Sequence, residues 1–370
     1  MTSVAPAAPA RSGVRVELPT LAVVSLTESG DGIAYVARLL HAAFREIGGA
    51  EPRVLAVDPA SAGAVSLAER GRFMARLLAE SARSSGILFN HLGIARAQLW
   101  VPPPLRRPYA VFLNGIEAWD PELSAPRRAA VRGAAARIAI SHYTRRRVLD
   151  AHPDVGPVVA CPLGLLDEPA AGWPDGDLLT RVGERSVLIV GRMSAAERYK
   201  GHDELIECWP RVLDRVPGAQ LVVAGRGDDV DRLRRKAAGA GLAGHVIFPG
   251  FVSDATLEAL LRRVALFAMP SRGEGFGLVY LQAMRAGLPC VGSPLDAAGD
   301  VIEHGETGLL ADPADREALA DAVARLLGDA GLRARMGGAG ERRFRREFTF
   351  ERFRDRLAPL LADAFGGERG

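Results

Sequence analysis

The sequence predicts an α/β protein of two doubly wound units, each a parallel sheet covered by helices on both faces, meeting at a central cleft. Three observations predict it. Strand-like and helix-like stretches alternate along the whole chain, which is how parallel sheets with crossover helices read. The strand-like stretches are continuous apolar runs ended by Gly, Asn or Asp, as expected of strands buried on both faces. One stretch, Asp167–Arg185 (DEPAAGWPDGDLLTRVGER), is rich in Pro, Gly and Asp and divides the pattern in two.

In the first unit LAVVSL (Leu21–Leu26) reads as a buried strand, followed by a Gly-containing turn and the amphipathic helix IAYVARLLHAAFREIG. RVLAVD, GILFNHL, YAVFLNG, ARIAIS and GPVVACPLG are its further strands. The second unit has the strands SVLIVGR, AQLVVAG, HVIFPGF, ALFAMPS and PCVGSP, with helices at Asp203–Val216 and Ser253–Val264. Leu319, Ala322, Val323 and Leu326 share one helical face. A last amphipathic helix runs from Thr349 to Phe365. The expected organisation is a disordered arm (1–15), a first domain (16–167), a linker (168–185), a second domain (186–347) and a terminal helix (348–366).

The chain has 370 residues, enough for two domains, and is 48% hydrophobic and 25% charged, as soluble globular proteins are. A net charge of +3 is too small to imply a nucleic-acid partner. Cys161, Cys208 and Cys290 lie far apart without metal-ligand spacing, which reads as reduced buried thiols in a cytoplasmic protein. The start MTSVAPAAPARSG lacks a signal-peptide core, and no apolar run is long enough to span a bilayer. Seven arginines (127, 128, 132, 137, 145, 146 and 147) crowd one region with no acid between Arg127 and Arg147. They fit either a solvated face or a patch for peripheral association with the inner membrane.

In open α/β folds ligands bind beyond the carboxyl ends of the strands, and the motifs fall there. SRGEGFGLVYLQAM follows the strand ALFAMPS. Glycines 273, 275 and 277 let backbone approach a ligand, and a helix expected to start near Phe276 offers free N–H groups to an anion such as a diphosphate. Glu274 would repel phosphate, so it suits neutral hydroxyls such as a sugar's. Arg192 follows the strand SVLIV and Lys200 opens the next helix, both able to neutralise a diphosphate. Gly225 in VVAGRGDD and Phe251–Val252 in FPGFVSD end further strands, where backbone groups can take a base. Gly30 and Gly32 in TESGDGIAYV lie between strand and helix without the dinucleotide fingerprint. Asn114 ends the strand YAVFLNG, and His91 in FNHLG suits a structural role. Alone, each stretch also fits a turn or a surface charge.

Together these stretches resemble the GT-B glycosyltransferases, and most closely their retaining family 4, the group 1 glycosyltransferases. GR…YKG, AGRGDD, FPGFVSD, EGFGLVYLQAMRAGLPCV and VIEHGETGLLADP occur in the family's order and spacing. The resemblance implies two Rossmann-like domains and transfer of a hexose from a nucleoside diphosphate sugar to an unidentified acceptor hydroxyl. It implies no metal and no other cofactor. It also implies that Arg192 and Lys200 hold the donor diphosphate and that Glu274 contacts the donor sugar. The Phe276–Gly277–Leu278 backbone would meet sugar or phosphate, Gly30 and Gly32 would lie at the phosphates and acceptor side, and the terminal helix would cross back onto the first domain.

Two positions depart from the family pattern. Gln282 stands where the family has a second glutamate, which accepts from the donor ribose hydroxyls. Asn114 stands where the family favours His. Both leave open relaxed donor choice, a deoxyribose donor, or an inactive nucleotide-sugar-binding partner on the same fold. The expectation is a polysaccharide-, glycolipid- or metabolite-directed hexosyltransferase.

Overall fold

A computed structural model describes residues 18–366 apart from 28–31, 59–64 and 171. The expected arm (1–15) and Gly30 lie outside the described residues. The described residues form two six-stranded sheets, and every strand pairing in them is parallel. The first holds β1 (Thr20–Val23), β2 (Val54–Ala56), β3 (Ile87–Phe89), β4 (Tyr109–Leu113), β5 (Ala136–Ala139) and β6 (Val159–Ala160), in the order β2-β1-β3-β4-β5-β6. The second holds β7 (Ser186–Val190), β8 (Gln220–Ala224), β9 (Val246–Gly250), β10 (Leu266–Ala268), β11 (Cys290–Gly292) and β12 (Gly308–Leu310), in the order β12-β11-β10-β7-β8-β9. In each sheet the strand order reverses beside the first strand of that half, which opens a crevice at the strand ends.

The apolar runs explain the strands: every residue of β4 is buried, as are those of β3, β10 and β11. Helix Gly32–Gly48 buries Val36, Ala37, Leu40, Ala43 and Phe44 on one face. Three elements differ from expectation. β12 falls in GETGLLAD, too short and Gly-rich to read as a strand, and is formed by pairing with β11. The Asp167–Arg185 stretch contains a helix, Gly176–Arg181, because Asp175 caps it and Leu178 is buried. The helix expected to start near Phe276 begins at Leu278, since Gly277 has φ +87° and cannot be its first turn.

The terminal helix Phe350–Phe365 buries Phe353, Leu357 and Leu361 and packs on helix Gly32–Gly48, with Arg354 paired to Glu46. Two crossings of the chain lie side by side: Leu165 bridges Thr349, and the Leu165 amide donates to the Phe348 carbonyl at 3.0 Å. Arg356 clasps them, donating to the carbonyls of Pro162 and Glu347, each at 2.7 Å.

Candidate functional site

The loop after β10 enters the site through a turn that only glycine permits. A Cβ at Gly275 would lie 2.2 Å from the Asn114 carbonyl oxygen, so the loop touches the end of β4 backbone to backbone. Gly277 caps helix Leu278–Arg285 without a side chain, and the Tyr280 amide turns back to the Gly277 carbonyl at 3.0 Å, so the backbone amides ahead of it make up the helix's N-terminal end. Phe276 is buried and packs edge-on against Phe348, so only its backbone is on offer.

Glu274 emerges between these glycines. Its carboxylate Oε2 is 3.4 Å from Lys200 Nζ, and the two side chains are only 22% and 17% exposed. Burial acts against the Lys200 ammonium, but the Glu274, Tyr199 and Glu197 charges together outweigh it and raise its pKa. Arg192, 62% exposed, lies 3.2 Å from Glu197 Oε1, whose Oε2 is 3.8 Å from Lys200. The cations therefore share the carboxylate of Glu197, a residue the motif reading passed over. Lys200 does not open a helix as expected: it ends the 3-10 turn Ala195–Lys200, and helix His202–Arg215 follows Gly201.

Behind the loop, Asp296 accepts the Glu274 amide at 3.3 Å and the Ala298 amide at 2.9 Å, while the Ala297 amide donates to the Glu274 carbonyl at 3.1 Å. Burial raises the Asp296 carboxyl to about 7, with the Glu274 charge adding to it. Arg272, just ahead of the loop, donates to the buried Glu204 at 2.6 Å. His202 lies beside Gly191, and burial lowers it to about 4.

At the end of β8 Gly225 has φ +141°, and a Cβ there would meet the Gly191 carbonyl at 1.9 Å. Its amide already donates to the Gly250 carbonyl at 2.8 Å, so it supplies close approach and not the free donor the sequence suggested. Phe251 is 53% exposed with the Arg226 guanidinium 5.1 Å above its ring, and Val252 is half-buried beside it. Gln282 is half-buried on helix Leu278–Arg285, with no side-chain hydrogen bond among the described residues.

On the opposite wall the Asn114 amide group donates to the Asn90 carbonyl at 2.8 Å, and its Oδ1 is buried without a partner. It is thus an unsatisfied buried acceptor on a residue that touches Gly275. Gly32 is exposed and is itself the first residue of its helix. His91 caps the Gly93 amide at 2.9 Å, a structural role as expected.

Of the arginine cluster only Arg137 is buried; Arg127 and Arg128 are half-buried, and Arg132, Arg145, Arg146 and Arg147 are exposed but partnered. Arg137 is buried and donates to the Val131 and Arg132 carbonyls, Arg132 pairs with Asp154, and Arg145 donates to the Val158 carbonyl. Arg146 reaches Asp300, and Arg147 lies over Trp119 and Tyr143. The three cysteines are free and buried, with thiols raised by burial. No helix among the described residues is long and apolar enough to cross a membrane.

Residues 184–329 match the family model of glycosyl transferases group 1. The chain is 34% identical over 242 residues to a GDP-mannose-dependent alpha-(1-6)-phosphatidylinositol monomannoside mannosyltransferase of Mycobacterium tuberculosis, covering 62% of this chain and 61% of that one. It is 37% identical over 211 residues to a phosphatidyl-myo-inositol mannosyltransferase of Mycobacterium leprae, covering 57% and 54%. These matches therefore span between half and two thirds of those relatives' length. Among solved structures it resembles sucrose-phosphate synthase from Thermosynechococcus elongatus (TM-score 0.76, 19% identity, 94% and 99% covered). It also resembles Anabaena HepE in complex with UDP-glucose (TM-score 0.74, 20% identity, 93% and 99% covered). Residues 184–329 thus resemble the group 1 glycosyltransferases, and the chain that carries them has the GT-B fold.

Proposed function

We propose that this chain is a retaining, metal-independent hexosyltransferase that moves a sugar from a nucleoside diphosphate donor to an acceptor hydroxyl in glycolipid or polysaccharide synthesis. The observation that carries the reading is the meeting of Arg192, Lys200 and Glu274 at the ends of β7 and β10, beside the N-terminal end of helix Leu278–Arg285. Two cations and a helix N-terminus suit a diphosphate, and a carboxylate beside them suits sugar hydroxyls.

In this mechanism the diphosphate leaves on the face from which the acceptor attacks. Arg192, Lys200 and the amides after Gly277 stabilise its developing charge, which accounts for the absence of a separate general base in the sequence motifs. The departing phosphate oxygen takes the acceptor proton. Phe251 and Arg226 form a ledge for the base, and Gln282 reaches back toward the ribose. Asn114 Oδ1 accepts from a sugar or acceptor hydroxyl. The mannosyltransferase relatives favour a hexose donor and a lipid-linked acceptor.

Peripheral docking on the anionic inner face of the membrane belongs to the same reading. Its support is now Arg127 and Arg128 on helix Ala125–Arg132, which packs on the turn carrying Trp100, 79% exposed. Co-sedimentation with anionic vesicles, lost on Arg127→Glu with Arg128→Glu, is the expected result. Equal sedimentation of both proteins contradicts it.

The enzyme reading is tested by incubation with a panel of nucleoside diphosphate sugars, reading release of the diphosphate. Release from none of them, with and without cell extract as acceptor source, contradicts it.

A further inference from the structure

The carbonyl of Gly275 is held from the other half of the molecule. Ser141 Oγ donates to it at 2.7 Å and Thr144 Oγ1 at 2.9 Å, across 134 and 131 residues of sequence. Both side chains are fully buried. Ser141 has one proton and gives it to Gly275. Its lone pair meanwhile accepts the Thr144 amide at 2.8 Å and so caps helix His142–Ala151. The next orphan amide of that helix, Tyr143 N–H, is satisfied across the same divide by Asp300 Oδ2 at 2.5 Å. Arg146 approaches the other Asp300 oxygen at 3.5 Å. A carboxylate at a helix N-terminus is favourably placed, so the first turn of this helix is built to dock on the second half.

The consequence falls on Glu274. Its own amide and carbonyl are fixed from within the second half, by Asp296 and Ala297. Among the described residues, the Gly275 carbonyl, whose peptide plane sets how the loop enters Phe276 and Gly277, is held from the first half alone. A carbonyl has two lone pairs, and here both are taken by hydroxyls of Ser141 and Thr144.

We infer that Ser141 and Thr144 are positioning residues for Glu274: the first half locks the peptide that follows it, so the aim of the sugar-reading carboxylate is set jointly by the two halves. This rests on the donor reading proposed above for Glu274. It separates two parts of the donor. The diphosphate is held mainly by Arg192 and Lys200, which Glu197 of the second half anchors apart from the lock. The sugar is read through Glu274, whose aim depends on the lock.

Thr144→Val keeps the side chain's shape and leaves the Ser141 cap intact, so it removes one hydroxyl donor without disturbing the helix start. Ser141→Ala removes the other, and Thr144→Ser restores the lost donor. Two readouts are taken on each protein. The first is amide hydrogen exchange of the 272–278 segment in the ligand-free chain. The second is calorimetric affinity for GDP and UDP beside GDP-mannose and UDP-glucose.

The expected result for Thr144→Val is faster exchange in that segment and diphosphate affinity within about twofold of wild type. The added affinity or turnover due to the sugar falls about tenfold, on the order of a small misplacement of a binding group. Combination with Glu274→Gln is non-additive, and Thr144→Ser behaves as wild type. Unchanged exchange overturns the lock. Equal loss for diphosphate and sugar nucleotide overturns the positioning role. If the wild-type protein binds no nucleoside diphosphate, the donor reading fails, and the exchange measurement still decides whether the first half holds the loop.

Discussion

At Lys200 two opposing effects meet: burial disfavours the ammonium, and the surrounding negative groups more than restore it. The side chain therefore stays charged although only 17% exposed, where a cation acts more strongly on a phosphate than at the surface. This residue, Arg192 and Glu274 were legible in the sequence because each follows a strand within a recognisable loop. Glu197, Asp296, Ser141 and Thr144 were not. Ser and Thr at a helix start read as caps, and nothing local says that their hydroxyl protons go to a carbonyl more than a hundred residues away. Gln282 was legible as a departure, and its role is testable at this scale. Hydrogen bonds to a charged group contribute about 1.5–3 kcal/mol against about 1 kcal/mol for neutral pairs. Gln282→Glu is therefore expected to tighten uridine and guanosine diphosphate sugars several-fold. It should leave thymidine diphosphate sugars, which lack the 2′-hydroxyl, unchanged. Equal effects on all donors would place residue 282 away from the ribose.

The loop from Arg272 to Gly277 is the element on which the site depends, and it is pinned at several points by groups of different sequence origin. Asp296 is the most informative of them. Burial raises its carboxyl from 3.8 to about 7, although two backbone amides act to lower it. A folded-state value above the unfolded one means that its contribution to stability is complete below the unfolded value and is lost as pH rises through about 7. Asp296→Asn removes the titration with little change of shape. Thermal unfolding across pH 4 to about 8 is expected to show wild type losing stability relative to the variant as pH rises. Parallel curves would mean that Asp296 ionises freely in the folded protein. At the same scale, the strands were readable because doubly buried strands need continuous apolar runs. β12 and helix Gly176–Arg181 were not, since one is made by pairing with β11 and the other by a capping Asp inside a Pro- and Gly-rich stretch.

For the whole molecule, the chain reads as two sheets whose carboxyl ends share one crevice, and the contacts across it are specific. Ser141, Thr144 and Asp300 join helix His142–Ala151 to the donor loop, while Arg356, Leu165 and the terminal helix tie the crossings together behind it. The alternation of strands and helices made this architecture legible, and the motif order made the crevice legible. Within the arginine cluster, charge counted along the sequence did not say that Arg137 turns inward to carbonyls while Arg132, Arg145, Arg146 and Arg147 stay exposed. The central claim is that Arg192 and Lys200 carry the leaving diphosphate of a nucleotide sugar. Its most direct test is diphosphate release from the best donor of the panel by wild type, Arg192→Ala and Lys200→Ala, with folding checked by circular dichroism. Loss of one such electrostatic group is expected to slow release about 10²–10³-fold in each folded variant. Release near the wild-type rate in both would contradict the account.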